Sequence, residues 1–320
     1  MREISIDEKP NAFPVFSFLP YGVTRSGKTH WAATMPRPLI IADISESGYK
    51  TILNMDRSMW FEPDVEPIVI GIDAMNDIAQ LMQPGGRVDM LINSGRIKSL
   101  VFDAFTYYCD FFLAHLTRID TKNDNRKIYG DLGKHLREVR TICGTKGINQ
   151  AYCCLEEPPD TEAGTKGLPQ IPGGQKGKFA GGVDFLWHAT FRNVIEKGAV
   201  VGAVREMRTK PDGPWIAGNR LGMNADVLPD PFVGTYSDLL AVLGYDVDAL
   251  RATLKPIKSI VVPKMVTVAP AAPTPPVIAA KPATPIARPT APIARPVQQN
   301  NAPRPNNNPA SKVVTPPQAK

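Results

Sequence analysis

The sequence predicts an α/β fold in which a mainly parallel β-sheet is flanked by helices. Over about the first 245 residues, short apolar runs alternate with helical patterns, which is typical of parallel strands connected by helices. A glycine-containing run at 22–29 lies between a predicted strand and a predicted helix, as a phosphate-binding loop does. Two extended segments joined by Glu196-Lys197-Gly198 predict a β-hairpin near the end of the folded part.

The individual elements follow from apolar runs, helical spacing and turn residues. In the helix predicted over 132–142, for example, Leu132, Leu136 and Val139 lie on one face. We predict strands over 15–19, 38–43, 67–70, 97–103 and 148–155, and helices from 28 to before 36 and over 73–82, 105–116 and 132–142. Loops over 121–129 and 156–182, the hairpin 183–194 and 199–207, and short helices at 237–243 and 246–254 complete the prediction.

Charge and proline divide the chain into two parts. The segment 255–320 holds nine Lys or Arg, no acid and 16 of the 32 prolines, so the total charge of +6 leaves 6 − 9 = −3 on residues 1–254. A chain with so few apolar side chains cannot offset its ordering entropy by burial. We therefore predict a folded domain over 1–254 and a disordered, basic Pro/Ala-rich tail over 255–320. The tail is either a solvated segment or an electrostatic arm for nucleic acid or an acidic partner.

Cysteine usage and hydropathy predict the compartment. Cys109, Cys143, Cys153 and Cys154 have neither metal-ligand nor disulfide-framework spacing, which favours reduced core residues. The N-terminus is too polar for a signal peptide, and no apolar run reaches the roughly 18 residues that span a bilayer. These features predict a soluble, cytoplasmic protein with no membrane partner.

The strongest chemical signal is a phosphate-binding P-loop. The run reads Gly22-Val23-Thr24-Arg25-Ser26-Gly27-Lys28-Thr29 and fits G-x-x-x-x-G-K-[ST]. Glycines permit the backbone curl that directs N–H groups at phosphate oxygens, and the following helix adds its positive dipole end. Lys28 would reach the β- and γ-phosphates, and the Thr29 hydroxyl would ligate Mg²⁺. The run therefore predicts ATP and Mg²⁺ as ligands.

Two further acids are candidates for this site. Asp103 ends a buried strand downstream of the P-loop, where P-loop proteins place the carboxylate of the magnesium shell. Glu46 and Asp43 follow another strand, and either carboxylate could activate the attacking water. The alternative for Asp43 is that it caps a helix running through 51–55.

Together these motifs resemble a RecA-type ATPase core, specifically the phage-encoded RecA-like recombinases and single-strand annealing proteins. The resemblance extends over about residues 13 to 230. It is carried by the P-loop, Leu39-Ile40-Ile41-Ala42-Asp43 with Glu46 and Gly48, Leu100-Val101-Phe102-Asp103, Pro172-Gly173-Gly174-Gln175-Lys176-Gly177-Lys178-Phe179 and Ala217-Gly218-Asn219-Arg220.

The resemblance implies a homo-oligomer, ring or filament, that assembles on single-stranded DNA. It further implies that the nucleotide state controls how this oligomer binds DNA. It also implies that Glu156 senses the γ-phosphate, that Arg220 reaches the neighbouring subunit's nucleotide, and that a single-strand-binding protein is a partner. From the residues themselves, Lys166, Lys176 and Lys178 predict a flexible cationic loop that follows a phosphate backbone. Phe179 would either stack on a base or anchor this loop to the core.

Three alternatives share the P-loop. One is a helicase or packaging motor, which would move along duplex DNA. Another is a small-molecule kinase, which needs a lid of arginines such as Arg192, Arg205, Arg208 and Arg220. The third is a nucleotide-binding scaffold that does not hydrolyse its ligand.

Overall fold

The computed structural model describes residues 13–44, 48–72, 86–120, 124–160, 162 and 164–254. Three of the predictions lie outside these ranges: Glu46 as catalytic base, the helix over 73–82, and the basic tail over 255–320.

The centre of the fold is a mainly parallel sheet. Among the described residues it has eight strands in the order β10-β8-β1-β5-β4-β2-β3, with β9 pairing to β8. Neighbouring strands among β1 to β5 pair in parallel, and β1 also pairs in parallel with β8. By contrast, β9 and β10 run antiparallel to β8. Their bounds are β1 Ser17–Tyr21, β2 Leu39–Ile44, β3 Ile68–Ile72, β4 Ser99–Asp103, β5 Asn149–Cys153, β8 Phe185–Glu196, β9 Ala199–Arg208 and β10 Gly218–Asn219. A separate two-stranded ribbon pairs β6 Glu156–Glu157 with β7 Leu168–Pro169.

Helices connect and cover the strands. They are α1 Lys28–Ala32, α2 Tyr49–Leu53, α3 Arg87–Asn93, α4 Phe105–Ile119, α5 Asn125–Thr145, α6 Gln175–Ala180, α7 Tyr236–Val242 and α8 Val247–Thr253, with 3₁₀ turns at Arg57–Met59 and Gly222–Val227. No helix within the described ranges combines the length and apolar character that crossing a bilayer requires.

Both faces of the sheet are buried, because successive strand residues point to opposite sides. In β2, Ile40 and Ala42 pack in one apolar cluster with α4 and α5, whereas Leu39 and Ile41 pack in the other with α1 and α7. Such doubly buried strands explain why the sequence shows them as continuous apolar runs. The predicted α/β architecture, a mainly parallel sheet flanked by helices with a β-hairpin toward its C-terminal end, is confirmed.

Two predicted loops contain regular structure. The segment 121–129 was expected to be a loop, but α5 begins at Asn125 because the Asp124 carboxylate accepts the backbone N–H of Arg126 (3.0 Å) and caps the helix. The segment 156–182 was also expected to be a loop, yet it contributes β6, β7 and α6. The strands of the ribbon are too short, and the segment is too rich in glycine, for a periodic apolar pattern to indicate these elements.

Candidate nucleotide-binding site

The P-loop connects β1 to α1, and its glycines are required by the geometry. Gly27 has φ +98°, in the left-handed region that side chains other than glycine rarely adopt. A Cβ at Gly22 would overlap the carbonyl oxygen of Ala189 in β8, so the loop can pass this strand only without a side chain. The loop is therefore a close-fitting backbone cradle, as phosphate binding requires.

Lys28 is buried against this cradle. Its Nζ donates hydrogen bonds to the carbonyl oxygens of Gly22 (3.0 Å) and Val23 (2.7 Å), and the residue is only 7% exposed. The ammonium group thus lies within the loop, in the position from which a P-loop lysine reaches bound phosphates.

Asp103, at the end of β4, lies next to the P-loop although another strand separates β4 from β1 in the sheet. β5 lies between β1 and β4, and the carboxyl ends of these parallel strands meet at one edge. There the Thr29 Oγ1 donates a 2.7 Å hydrogen bond to Oδ2 of Asp103, which is buried at 2% exposure. One hydroxyl and one carboxylate oxygen of this kind are the protein ligands that Mg²⁺ takes beside substrate phosphates.

Asp43 contacts the start of α2, although the N-cap of that helix is Gly48 and not Asp43 as the alternative expects. Its carboxylate accepts the backbone N–H groups of Gly48 (2.9 Å) and Tyr49 (3.4 Å), so it holds the start of α2. Asp43 pairs in register with Asp103, and a Cβ at Gly48 would overlap Oδ2 of Asp103. Gly48 therefore lies directly beside the proposed metal ligand.

These groups enclose a cavity of about 530 Å³, a suitable size for a nucleotide. Its lining residues are Thr24, Arg25, Gly27, Lys28, Thr29, His30, Gly48, Thr51, Asp103 and Arg205. Burial, together with the nearby Arg205 charge, lowers the pKa of His30, which favours the neutral imidazole. The glycine cradle, the lysine and the Thr–Asp pair fit ATP and Mg²⁺.

Arg205, like His30 and Thr51, lines the cavity although the sequence did not assign it to the nucleotide. The sequence places it only among the four arginines that a kinase lid could use. No motif surrounds it, and only the pairing of β9 to β8 brings it to the P-loop. Of the other three, Arg192 and Arg208 form ion pairs with Glu206.

Glu156 lies beside the P-loop rather than among the cavity-lining residues. Its Oε2 is 3.0 Å from Nε2 of His188, which packs between Tyr21 (5.0 Å between ring centroids) and Trp215 (4.3 Å). Burial lowers the pKa of His188, and the Glu156 carboxylate opposes this effect. Tyr21 immediately precedes the P-loop, so Glu156 is connected to it through two aromatic side chains. Its role as a sensor stays a prediction.

The four residues predicted to bind DNA have different surroundings. Lys166 and Lys178 are exposed, whereas Lys176 pairs with the Glu157 carboxylate at 2.7 Å. Phe179 is 4% exposed, with its ring 4.9 Å from those of Phe105 and Tyr152. The burial of Phe179 fits a role in anchoring the loop to the core better than a role in stacking on a base.

Arg220 is at the opposite edge of the sheet from its own P-loop. Its backbone N–H donates to the carbonyl of Asp184, just before β8, and its guanidinium donates to the carbonyl of Gly181. Tyr21, at the P-loop edge, pairs with His188, four residues further along the same strand. A role for Arg220 at a nucleotide would thus require another subunit, and stays a prediction.

Comparisons with known proteins add a structural neighbour. No protein-family model matches the chain, and no curated protein matches it. Among the solved structures that match is a KaiC-like protein from the hyperthermophilic archaeon Pyrococcus horikoshii, with 15% sequence identity and a TM-score of 0.35. The match covers 60% of this chain and 77% of the archaeal one. The residues that line the cavity have the geometry of a P-loop nucleotide-binding site.

Proposed function

We propose that this chain is a RecA-like ATPase that binds ATP with Mg²⁺ and hydrolyses it when bound to single-stranded DNA. The observation that carries the proposal is the 2.7 Å contact between Thr29 and Asp103 inside the P-loop cavity. Bound ATP–Mg²⁺ would supply a transferable phosphoryl group whose charge the metal helps to neutralise.

Three side chains would act on that ligand. The Lys28 ammonium, now on the carbonyl oxygens of Gly22 and Val23, would bind phosphate oxygens and neutralise their charge. Thr29 and Asp103 are the residues that would hold the metal. All three lie on rigid elements, so their positions are preorganised, which is the main source of catalysis in phosphoryl transfer.

Dependence on DNA is supported by the connection between the P-loop and the segment 156–182. The Gly22 N–H donates to the Cys154 carbonyl (3.3 Å), at the end of β5, and the Gln170 N–H donates to the Leu155 carbonyl (2.8 Å). If DNA displaces this segment, Leu155 and the adjacent Cys154 would move, and Cys154 is the residue that accepts the hydrogen bond of the first P-loop glycine, Gly22.

The exposed cations of the same segment would meet the DNA backbone. Lys166 and Lys178 are available as they stand, and Lys176 becomes available if its contact with Glu157 opens. With three to five phosphate contacts in total, log affinity should fall against log salt with a slope of roughly −2 to −3.5.

The proposal includes a homo-oligomer on DNA. Arg220 cannot act at its own nucleotide from the opposite edge of the sheet, which suits a role at the site of the next subunit. Contact with a single-strand-binding protein and an origin in a phage recombination or annealing system are the further parts of this proposal, and they derive from the resemblance.

The decisive experiment is ATP hydrolysis with and without single-stranded DNA, using Lys28→Ala as the matched inactive variant. We expect stimulation by DNA in the wild type and no hydrolysis in the variant. Hydrolysis that ignores single-stranded DNA at low salt would reject the DNA part of the proposal, and stimulation by duplex alone would favour a motor. Phosphorylation of a small acceptor without DNA would favour a kinase, although Arg205 alone of the four considered arginines lines the cavity.

A further inference from the structure

The hairpin β8–β9 extends beyond the edge of the sheet at which the P-loop lies. Tyr21, the last residue of β1, pairs with His188, and β8 continues past that point to Glu196. Arg205 in β9 is opposite Phe191, three residues beyond His188. The hairpin thus carries Arg205 out over the phosphate-binding loop.

The Arg205 side chain lies directly on Gly27. A Cβ at Gly27 would be 2.5 Å from the Arg205 Cδ and 3.2 Å from its Cβ and Cγ, so the glycine leaves the space that the arginine fills. Arg192 and Arg208 of the same hairpin pair with Glu206, whereas Arg205 has neither a hydrogen bond nor an ion pair to any residue that the structure describes. A guanidinium that has no partner among the described residues and lies over a phosphate cradle is placed to bind an anion.

Two groups of residues line the cavity. Thr29 and Asp103 would hold the metal, which would supply charge neutralisation at the phosphates, and Gly48 and Thr51 line the cavity with them. Arg205 lies over Gly27, directly before the start of α1. There the backbone of a P-loop surrounds the α- and β-phosphates. From this position we expect Arg205 to reach the α- and β-phosphates rather than the reacting γ-phosphate.

We propose that Arg205 is a nucleotide-binding residue, supplied by the hairpin of the same chain, whose guanidinium binds α- and β-phosphate oxygens of ADP and ATP alike. This inference rests on the proposed function for the identity of the ligand. Because both nucleotides share these phosphates, Arg205 contributes equally to ground state and transition state. Its loss therefore raises KM and leaves kcat unchanged.

The test compares Arg205→Ala, Arg205→Lys and wild type by calorimetric titration with ADP and with a non-hydrolysable ATP analogue. We expect Arg205→Ala to bind both about ten-fold more weakly, in line with one hydrogen-bonded charge contact, and Arg205→Lys to fall between. In steady-state hydrolysis KM should rise by a similar factor with kcat within about two-fold. Arg192→Ala removes a cation from the same hairpin outside the cavity and should match the wild type.

Equal ADP affinity in Arg205→Ala and wild type would overturn the inference, with thermal unfolding showing that the variants are folded. A loss of kcat at unchanged ADP affinity would also overturn it, because Arg205 would then act at the γ-phosphate. Both results leave the proposed DNA-dependent hydrolysis intact. Conversely, hydrolysis that ignores DNA together with weakened ADP binding by Arg205→Ala would reject the proposed function and uphold Arg205. A wild type that binds no ADP would reject both.

Discussion

The hydroxyl of Thr29 donates a 2.7 Å hydrogen bond to Oδ2 of Asp103, across 74 residues of sequence and an intervening strand of the sheet. Thr29 lies in the first turn of α1 and Asp103 at the last position of β4, so two rigid elements define the distance. The two oxygens are adjacent in a buried position where a divalent cation would take both as ligands.

Replacing Asp103 by Asn should reduce ATP hydrolysis by about 100-fold or more, since one preorganised charge at the metal is lost while the side chain keeps its shape. The measurement is hydrolysis over a series of Mg²⁺ concentrations, where the variant should need more metal. Asp248→Asn, at an exposed site in α8, is the control and should behave as wild type. Full activity of Asp103→Asn at ordinary Mg²⁺ would show that this carboxylate is not a metal ligand.

Gly48→Ala is a steric probe of the same carboxylate. Its added Cβ would overlap Oδ2 of Asp103, and because the backbone φ at Gly48 is −57°, alanine adds no backbone strain. We expect hydrolysis to fall by about 10- to 100-fold from the displaced ligand, with thermal unfolding still cooperative. Gly71→Ala in β3 meets no atom within 4 Å and should keep wild-type activity. Equal rates for both variants would contradict the assigned role of Asp103.

Glu157→Gln should strengthen binding to single-stranded DNA, because it releases Lys176 from the 2.7 Å ion pair. One additional phosphate contact would make the slope of log affinity against log salt more negative by about 0.7. Fluorescence anisotropy with a labelled oligonucleotide at several salt concentrations measures both quantities. Glu138→Gln removes an exposed acid that pairs with Lys134 on α5 and serves as the control. An unchanged slope would mean that Lys176 does not meet DNA.

His135 should make the folded domain less stable in acid. Burial lowers its pKa to about 4, while its Nε2 lies 2.6 Å from the Tyr108 hydroxyl and its ring stacks on Phe112. Since the folded pKa is below the unfolded value of 6.5, the unfolded chain gains the proton first as pH falls. The contribution is therefore intact above about pH 6.5 and is lost as the pH approaches 4, amounting to about 3 kcal/mol in all.

Urea unfolding of wild type and His135→Gln between pH 7 and pH 4.5 measures this effect. The variant should start less stable at pH 7, because the ring packing is lost, but its stability should decline less across the window. Carboxylates titrate in both proteins and cancel in the comparison. Parallel pH profiles would mean that His135 takes up its proton equally in both states.

Local sequence determined the parts of the site that are formed by short runs of consecutive residues. The run from Gly22 to Thr29 specified a phosphate cradle, because left-handed backbone and close approach demand glycine at fixed spacing. The apolar run ending at Asp103 identified a buried strand with an acid at its carboxyl end. Parallel strands buried on both faces are continuous apolar runs, so the sheet was also predictable.

Only the tertiary structure decided which distant residues join that site. Arg205 gives no local signal, since its approach to Gly27 depends on the register of β9 against β8 and on β8 lying beside β1. The contact of Asp43 with the backbone at the start of α2 and the burial of Phe179 depend equally on packing between elements. Strand order and register are long-range choices, made by the burial of whole faces rather than by any short motif, and they bring the hairpin over the phosphate loop.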